Sequence, residues 1–336
     1  MVSREKNSPY FLMWKIGDIR VVSKVVLAPM AGITSLAYRE FMKPFGVGLS
    51  YTEMISDCGL SYNNSKTYEY LTFSGIDHPV GLQLFGSKID KTLKAIKILQ
   101  DNKIPYDVLD INLGCPVFKV VKTGAGSAWL KDPQGLFSYM KAICETSTKP
   151  VTAKIRLGWD EKSINVFEIV SLLEKAGVKA ISIHARTTKQ LYSGIPNYES
   201  IRDMRKHMSV PLIVSGDIYS LEDAINAIKI TGADAVMIAR GGIGNPMLIR
   251  QINEYFDNGI ILPNPSLDEN LRYLENYAEM LVKEKGERTA MMILRGIAPK
   301  FLNHYSGLKQ FKTKMSTDLK TLDDLKAIDK EILSKV

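Results

Sequence analysis

Residues 151–186 read VTAKIRLGWDEKSINVFEIVSLLEKAGVKAISIHAR. A short apolar, β-branched run at 151–155 gives way to an amphipathic stretch at 166–176, and a second such run follows at 180–184. Strand, helix and strand in that order form the unit of a parallel sheet. The alternation continues in both directions. Strand-like runs lie at 25–29, 48–53, 80–85 and 108–112 before this unit, and at 211–215 and 235–239 after it. Amphipathic stretches at 91–100, 137–145 and 221–230 occupy gaps between them. Eight units within about 240 residues predict a closed (β/α)₈ TIM barrel. The rival is an open doubly wound sheet, but no G-x-G-x-x-G follows the first run.

Past Pro246 the strand signals cease, and Leu262, Pro263, Asn264 and Pro265 form a turn-rich break. Beyond it, Leu271, Leu274, Tyr277, Ala278 and Leu281 share one helix face by their spacing. The expected organisation is a catalytic barrel over 1–250 and an all-helical C-terminal domain over 264–336.

Composition sets broad limits. At 336 residues, 45% hydrophobic and 24% charged, the chain has the profile of an ordinary globular protein. No run approaches the roughly 18 unbroken apolar residues of a membrane helix. The opening stretch, MVSREKNSPYFLMWKIGD, lacks the pattern of a secretory signal. A cytoplasmic monomer without a membrane or protein partner is expected. Cys58, Cys115 and Cys144 are too few and too scattered for a disulfide framework or a metal site. Cys58 and Cys144 read as small buried apolar groups, whereas Cys115 falls just past the fourth strand, between Gly114 and Pro116. A thiol of ordinary pKa, about 8.5, is protonated at neutral pH and can act as a general acid.

Barrel active sites lie at the C-terminal ends of the strands, and strand side chains alternate between faces. That alternation turns Gln83, Asp110 with Asn112, Lys154 with Arg156, and Ser182 with His184 and Arg186 toward the inside. Buried polar groups are costly unless paired, so a polar ligand at the mouth is implied. Glycine-rich turns after strands seven and eight, Ser215-Gly216-Asp217 and Ala239-Arg240-Gly241-Gly242, stand where many barrels hold a phosphate. The net charge is +8, and basic residues from Arg288 to Lys320 are interleaved with Phe301, Tyr305 and Phe311. Cations for phosphates beside rings for stacking are the footprint of an RNA-binding surface.

These residues resemble the tRNA-dihydrouridine synthase family over nearly the whole chain. The stretches that carry the resemblance include APMAGIT at 28–34, VGLQLFGS at 80–87, LDINLGCPVFKVVKTGAGSAWL at 109–130, KIRLGW at 154–159, ISIHARTTKQLYSG at 181–194 and ADAVMIARGGIGNP at 233–246. The resemblance implies FMN as cofactor, NADPH as reductant and uridine in tRNA as substrate. By the same resemblance Pro29, Met30 and Ala31 line the flavin, Gln83 and Lys154 hydrogen-bond its rings, and His184 stands on its phosphate side. Ser215, Gly216, Asp217, Ala239 and Arg240 match the phosphate loops. The family more often has asparagine at the first of these positions and glycine at the fourth. Cys115 is the implied proton donor, with Asn112 and Arg186 facing the substrate. Lys119 and Lys122 sit on a loop, 117–126, expected to close over the base, and Arg295, Lys300, Lys312 and Lys314 are expected to contact the RNA backbone. The alternatives are an FMN barrel enzyme acting on a free pyrimidine, as a dihydroorotate dehydrogenase does, and a noncatalytic RNA-binding module.

Overall fold

The computed structural model describes residues 13–335. The opening stretch read for a signal, and the first residues assigned to the barrel, lie largely outside the described residues. A hairpin comes first, β1 (Trp14–Ile16) paired antiparallel with β2 (Ile19–Val21). The barrel strands follow: β3 (Val25–Leu27), β4 (Leu49–Tyr51), the two-residue β5 (Ile55–Ser56), β6 (Val80–Phe85), β7 (Val108–Leu113), β8 (Val151–Arg156), β9 (Ala180–His184), β10 (Leu212–Ser215) and β11 (Ala235–Ile238). All eight predicted strands are present, trimmed by a residue or two at several ends. The pairing is parallel throughout, and β4 closes the ring on β6 through Ser50 with Val80 and Tyr51 with Gly81.

Strand alternation sorts the side chains as expected. Leu82, Leu84, Ile111, Ile155 and Ile183 face outward into the layer under the helices. Val26, Leu49, Val108, Ala180, Ile213 and Ala235 fill the lower interior, where Trp14, Ile16 and Val21 of the hairpin plug the N-terminal end. Gly81 is needed here, because a Cβ at that position would meet the Tyr51 ring at 2.3 Å. The hairpin was not foreseen; its strands are three residues each, too short for alternation to register.

Helices Leu36–Met42, Ile89–Asp101, Pro133–Thr146, Val166–Ala176, Leu221–Thr231 and Met247–Asn258 surround the sheet. The last runs past residue 250 and follows β11 as the final helix of the barrel. Between β9 and β10 only two 3₁₀ turns occur, Tyr198–Ile201 and Met204–His207. Most of that connection is a loop at the mouth instead.

The C-terminal helices are Leu267–Lys285, Glu287–Ile297, Lys309–Thr317 and Leu322–Leu333. Ser266 and Glu269 form a capping box at the first of them. Tyr277 meets Tyr38 edge-on at 5.5 Å and Phe41 at 5.2 Å, so the bundle packs on helix Leu36–Met42. The aromatic residues read as RNA-stacking groups have other work. Phe301 and Phe311 are buried core residues, and the Tyr305 hydroxyl donates to the carbonyls of Pro265 and Ser266. Apolar rings spaced among lysines on a helix bury inward while the lysines face water. Cys58 also departs from its reading, being exposed on the short helix Asp57–Ser61.

Candidate active site

One cleft of about 440 Å³ opens at the C-terminal ends of the strands. Its lining brings together Pro29, Met30 and Ala31 after β3, Gln83 of β6, Asn112 of β7 with Cys115 after it, Lys154 of β8 and His184 of β9. Ser215, Gly216, Asp217, Ala239 and Arg240 complete the wall, and Lys300 reaches it from the C-terminal helices. Asn270 fixes that reach by donating to the carbonyls of Gly244 at 3.3 Å and Phe301 at 2.5 Å.

Cys115 sits on the turn after β7, where its N–H donates to Asn112 Oδ1 at 2.8 Å. Its carbonyl accepts the N–H of Ser127 at 3.1 Å and the hydroxyl at 2.9 Å, so the returning end of loop 117–126 is anchored beneath it. Burial pushes the Cys115 thiol up, against smaller opposing effects of the Val117 N–H, Arg156 and Lys154. The thiol therefore holds its proton at neutral pH. Phe118, Lys119 and Lys122 are exposed on the outer part of the same loop.

The electrostatics of the cleft are cationic. Burial lowers the Lys154 ammonium to about 8, helped by Arg156 and opposed by Asp110 and Cys115. Among the described residues its Nζ makes no protein hydrogen bond. His184 is driven well below its ordinary value by burial first and then by Lys154, Arg156, Arg186 and Arg240, so its ring is neutral. A half-buried cation with no hydrogen-bond partner among the described residues, in a cleft lined by the guanidinium groups of Arg156 and Arg240, calls for an anionic or acceptor-rich ligand. The backbones of the two glycine turns meet closely: a Cβ on Gly241 would lie 1.9 Å from the Ile218 carbonyl oxygen.

Two assigned residues play other parts. Arg186 is fully buried behind the cleft wall, and its guanidinium is taken up by Asp217 and the carbonyls of Ser193 and Gly194. It does not line the cleft; its donors are satisfied locally, as a buried guanidinium requires. Asp217 also receives Arg240 Nη2 at 2.7 Å. An ionised carboxylate has no donor for a phosphate, so its side chain aims the two arginines, and burial notwithstanding they hold it below the ordinary range.

The remaining basic residues lie outside the cleft. Arg295 Nε donates to the Leu319 carbonyl, Lys312 reaches Asn303 Oδ1 at 3.1 Å, and Lys314 pairs with Glu331 at 2.6 Å. Lining residues absent from the sequence assignment include Met54, Arg156, Tyr192 and Tyr219. Arg156 was visible as an inward residue; it spends Nε on the Gly114 carbonyl and Nη1 on those of Thr187 and Leu191. Tyr192 and Tyr219 flank Arg240, whose guanidinium carbon is 5.4 Å and 5.9 Å from their ring centres. Glu53 accepts the Gly32 N–H, which makes it a partner for the loop after β3.

The family model for dihydrouridine synthase (Dus) matches residues 26–336. The chain belongs to the dihydrouridine synthase family. Among its relatives, tRNA-dihydrouridine synthase B of Vibrio vulnificus (strain CMCP6) is 33% identical over 298 residues, covering 89% of this chain and 92% of that protein. A probable tRNA-dihydrouridine synthase of Rickettsia conorii (strain ATCC VR-613 / Malish 7) is 34% identical, covering 84% and 85%. The barrel fold recurs in histamine dehydrogenase from Rhizobium sp. 4-9, with a TM-score of 0.57 and 14% identity over 81% of this chain and 51% of that longer one.

Proposed function

We propose that this oxidoreductase reduces the 5,6 double bond of uridine in tRNA, with FMN as cofactor and NADPH as reductant. The observation that carries the reading is Cys115 on the turn after β7, at the edge of a cationic cleft, in a chain of this family. The cleft fits FMN: its volume is in the range of cofactor sites, Lys154 offers a partnerless ammonium, and the glycine turns with Arg240 suit a phosphate.

FMN held there would supply the hydride for carbon 6 of the uracil ring. The residues of this chain do the rest. Cys115 delivers the proton to carbon 5, and Asn112 holds the turn that aims it. Lys154 and Arg156 line the cleft and would hold an acceptor-rich ring system there by their positive charge. Because the target base cannot be reached inside a stacked RNA fold, it must be extruded into the mouth. Loop 117–126 with Lys119 and Lys122 covers it there, and Lys300, Lys312, Lys314 and Arg295 meet the RNA backbone from the C-terminal region, 264–336.

We assign the working form to a cytoplasmic monomer; no helix among the described residues is long and apolar enough to cross a membrane. The reading is tested anaerobically. Yellow purified protein should bleach with NADPH and recover its colour on addition of unmodified tRNA. Recovery with free uracil or orotate and not with tRNA would replace the substrate assignment.

A further inference from the structure

Beneath the cleft, five polar side chains form one continuous line across the barrel. The Tyr51 hydroxyl approaches Thr152 Oγ1 at 3.5 Å, and Thr152 donates to Asp110 Oδ1 at 2.7 Å. Gln83 Nε2 donates to Asp110 Oδ2 at 2.6 Å, and Asn112 Nδ2 donates to Gln83 Oε1 at 2.8 Å. The line ends on Asn112 Oδ1, which accepts the N–H groups of Cys115 at 2.8 Å and Gly114 at 3.2 Å. All five side chains are buried.

The line has a direction, and its only ionisable acceptor is Asp110. An ionised carboxylate can only accept. It therefore requires the NH₂ end of Gln83 to face it. The Gln83 oxygen must then face Asn112, and the Asn112 oxygen must face the Cys115 turn. We propose that Asp110 is a positioning residue whose negative charge sets the polarity of both amides and thereby holds the Cys115 turn in place.

A proton on Asp110 removes that requirement. A protonated carboxyl can donate to Gln83 Oε1, the Gln83 amide turns over, and Asn112 follows. Asn112 would then present NH₂ to the N–H groups of Gly114 and Cys115, and both bonds are lost. Burial lifts Asp110 to about 6, opposed by the bonds from Gln83 and Thr152 and by Lys154. The titratable groups facing it are Lys154 on β8 and Tyr51 on β4, with neutral His184 on β9 beyond Lys154. Tyr51 stays protonated, being pushed well above its ordinary value by burial and then by Asp110 itself. Lys154, at about 8, stays charged through the interval in which Asp110 titrates.

The inference rests on Cys115 as proton donor only for its catalytic consequence, and the structural arm of the test needs neither flavin turnover nor RNA. Amide hydrogen exchange of Gly114 and Cys115 is measured in the holoenzyme and in Asp110→Asn, whose amide can sit either way round. The Leu109 amide, bonded to the Pro150 carbonyl at 2.9 Å, reports whether β7 is intact. Protection at Cys115 should fall about tenfold in the variant, as loss of one buried hydrogen bond implies, with Leu109 unchanged. Wild-type protein, corrected for intrinsic exchange, should show the same fall as pH drops through about 6, and this arm stands even if the variant does not fold. Unchanged protection at Cys115 and Gly114 in the pH series overturns the proposal. In turnover with tRNA, the acid limb of the kcat profile near that pH should vanish in Asp110→Asn; its persistence assigns the limb to another group and also overturns it.

Discussion

The carboxylate of Glu284 accepts the backbone N–H of Ala37 at 2.7 Å, joining residues 247 positions apart in the chain. Ser35, the N-cap of helix Leu36–Met42, makes no side-chain cap bond of its own and donates its hydroxyl to the same carboxylate at 2.9 Å. The last turn of the long C-terminal helix thus caps the first barrel helix. That helix begins where the cleft-lining loop at Pro29, Met30 and Ala31 ends, so the C-terminal bundle braces the cleft.

Removing this cap should cost about 1 kcal/mol and lower Tm by a few degrees in Glu284→Ala. Burial would raise the carboxyl, but Lys285, the Ala37 N–H and Ser35 together hold it below its ordinary 4.5. A depressed folded value means the stabilisation is complete above the unfolded value and is lost as pH falls through the folded one. Thermal melts should therefore show a gap between wild type and variant at neutral pH that closes in acid. A gap that is the same at both would mean the contribution is packing and not charge.

Asp329 has the opposite sign. It is buried on helix Leu322–Leu333, and neither carboxylate oxygen has a hydrogen-bond partner among the described residues. Burial, then Glu275, lifts it to about 8. The folded state holds this proton more tightly than the unfolded state, so stability declines as pH rises from about 4 to about 8. Asp329→Asn should raise Tm above pH 8, by at least about 2 °C, and by clearly less near pH 5. An equal shift at both pH values would contradict the assignment.

Phosphate recognition gives a third expectation. Arg240 lies on the cleft wall, held by Asp217 and flanked by Tyr192 and Tyr219. Loss of a charge-assisted hydrogen bond should weaken FMN binding about tenfold to a hundredfold in Arg240→Ala. Riboflavin, lacking the phosphate, should bind both proteins alike in a fluorescence titration. Equal weakening for the two ligands would move the phosphate elsewhere.

For RNA, the structure ranks the basic residues. Lys300 stands at the cleft with no acidic partner among the described residues, whereas Lys314 is already paired with Glu331. Lys300→Ala should reduce the salt slope of tRNA binding by about 0.7–0.9, the amount for one phosphate contact, and Lys314→Ala should reduce it less. Filter-binding or anisotropy titrations across salt concentrations measure both slopes. The reverse ranking would place the RNA on another face.

Much of this was legible in the sequence because the barrel repeats one signal eight times. Gln83, Asn112, Lys154 and His184 could be placed on the inner face by strand alternation alone, since a period of two leaves no freedom once the outward leucines and isoleucines are identified. Pairing across elements was not legible. Arg186 shares a face with His184, yet nothing local announces that Asp217 and two loop carbonyls take its guanidinium. Phe301 and Phe311 failed as stacking groups for a related reason: charge counts along a chain do not say which side of a helix is wet. The cap from Glu284 to Ala37 joins two segments that have no sequence relation at all.

We propose uridine reduction with Cys115 as the proton donor. Unmodified tRNA is incubated with purified protein and NADPH, digested to nucleosides and analysed by mass, beside a Cys115→Ala control. The thiol is held above its ordinary value by burial, so the reaction should persist at neutral pH and fade only as pH rises through that raised value. A uridine heavier by two hydrogen atoms, strongly diminished in the control, is the predicted result. A yellow protein that oxidises NADPH but leaves every uridine unchanged would contradict it.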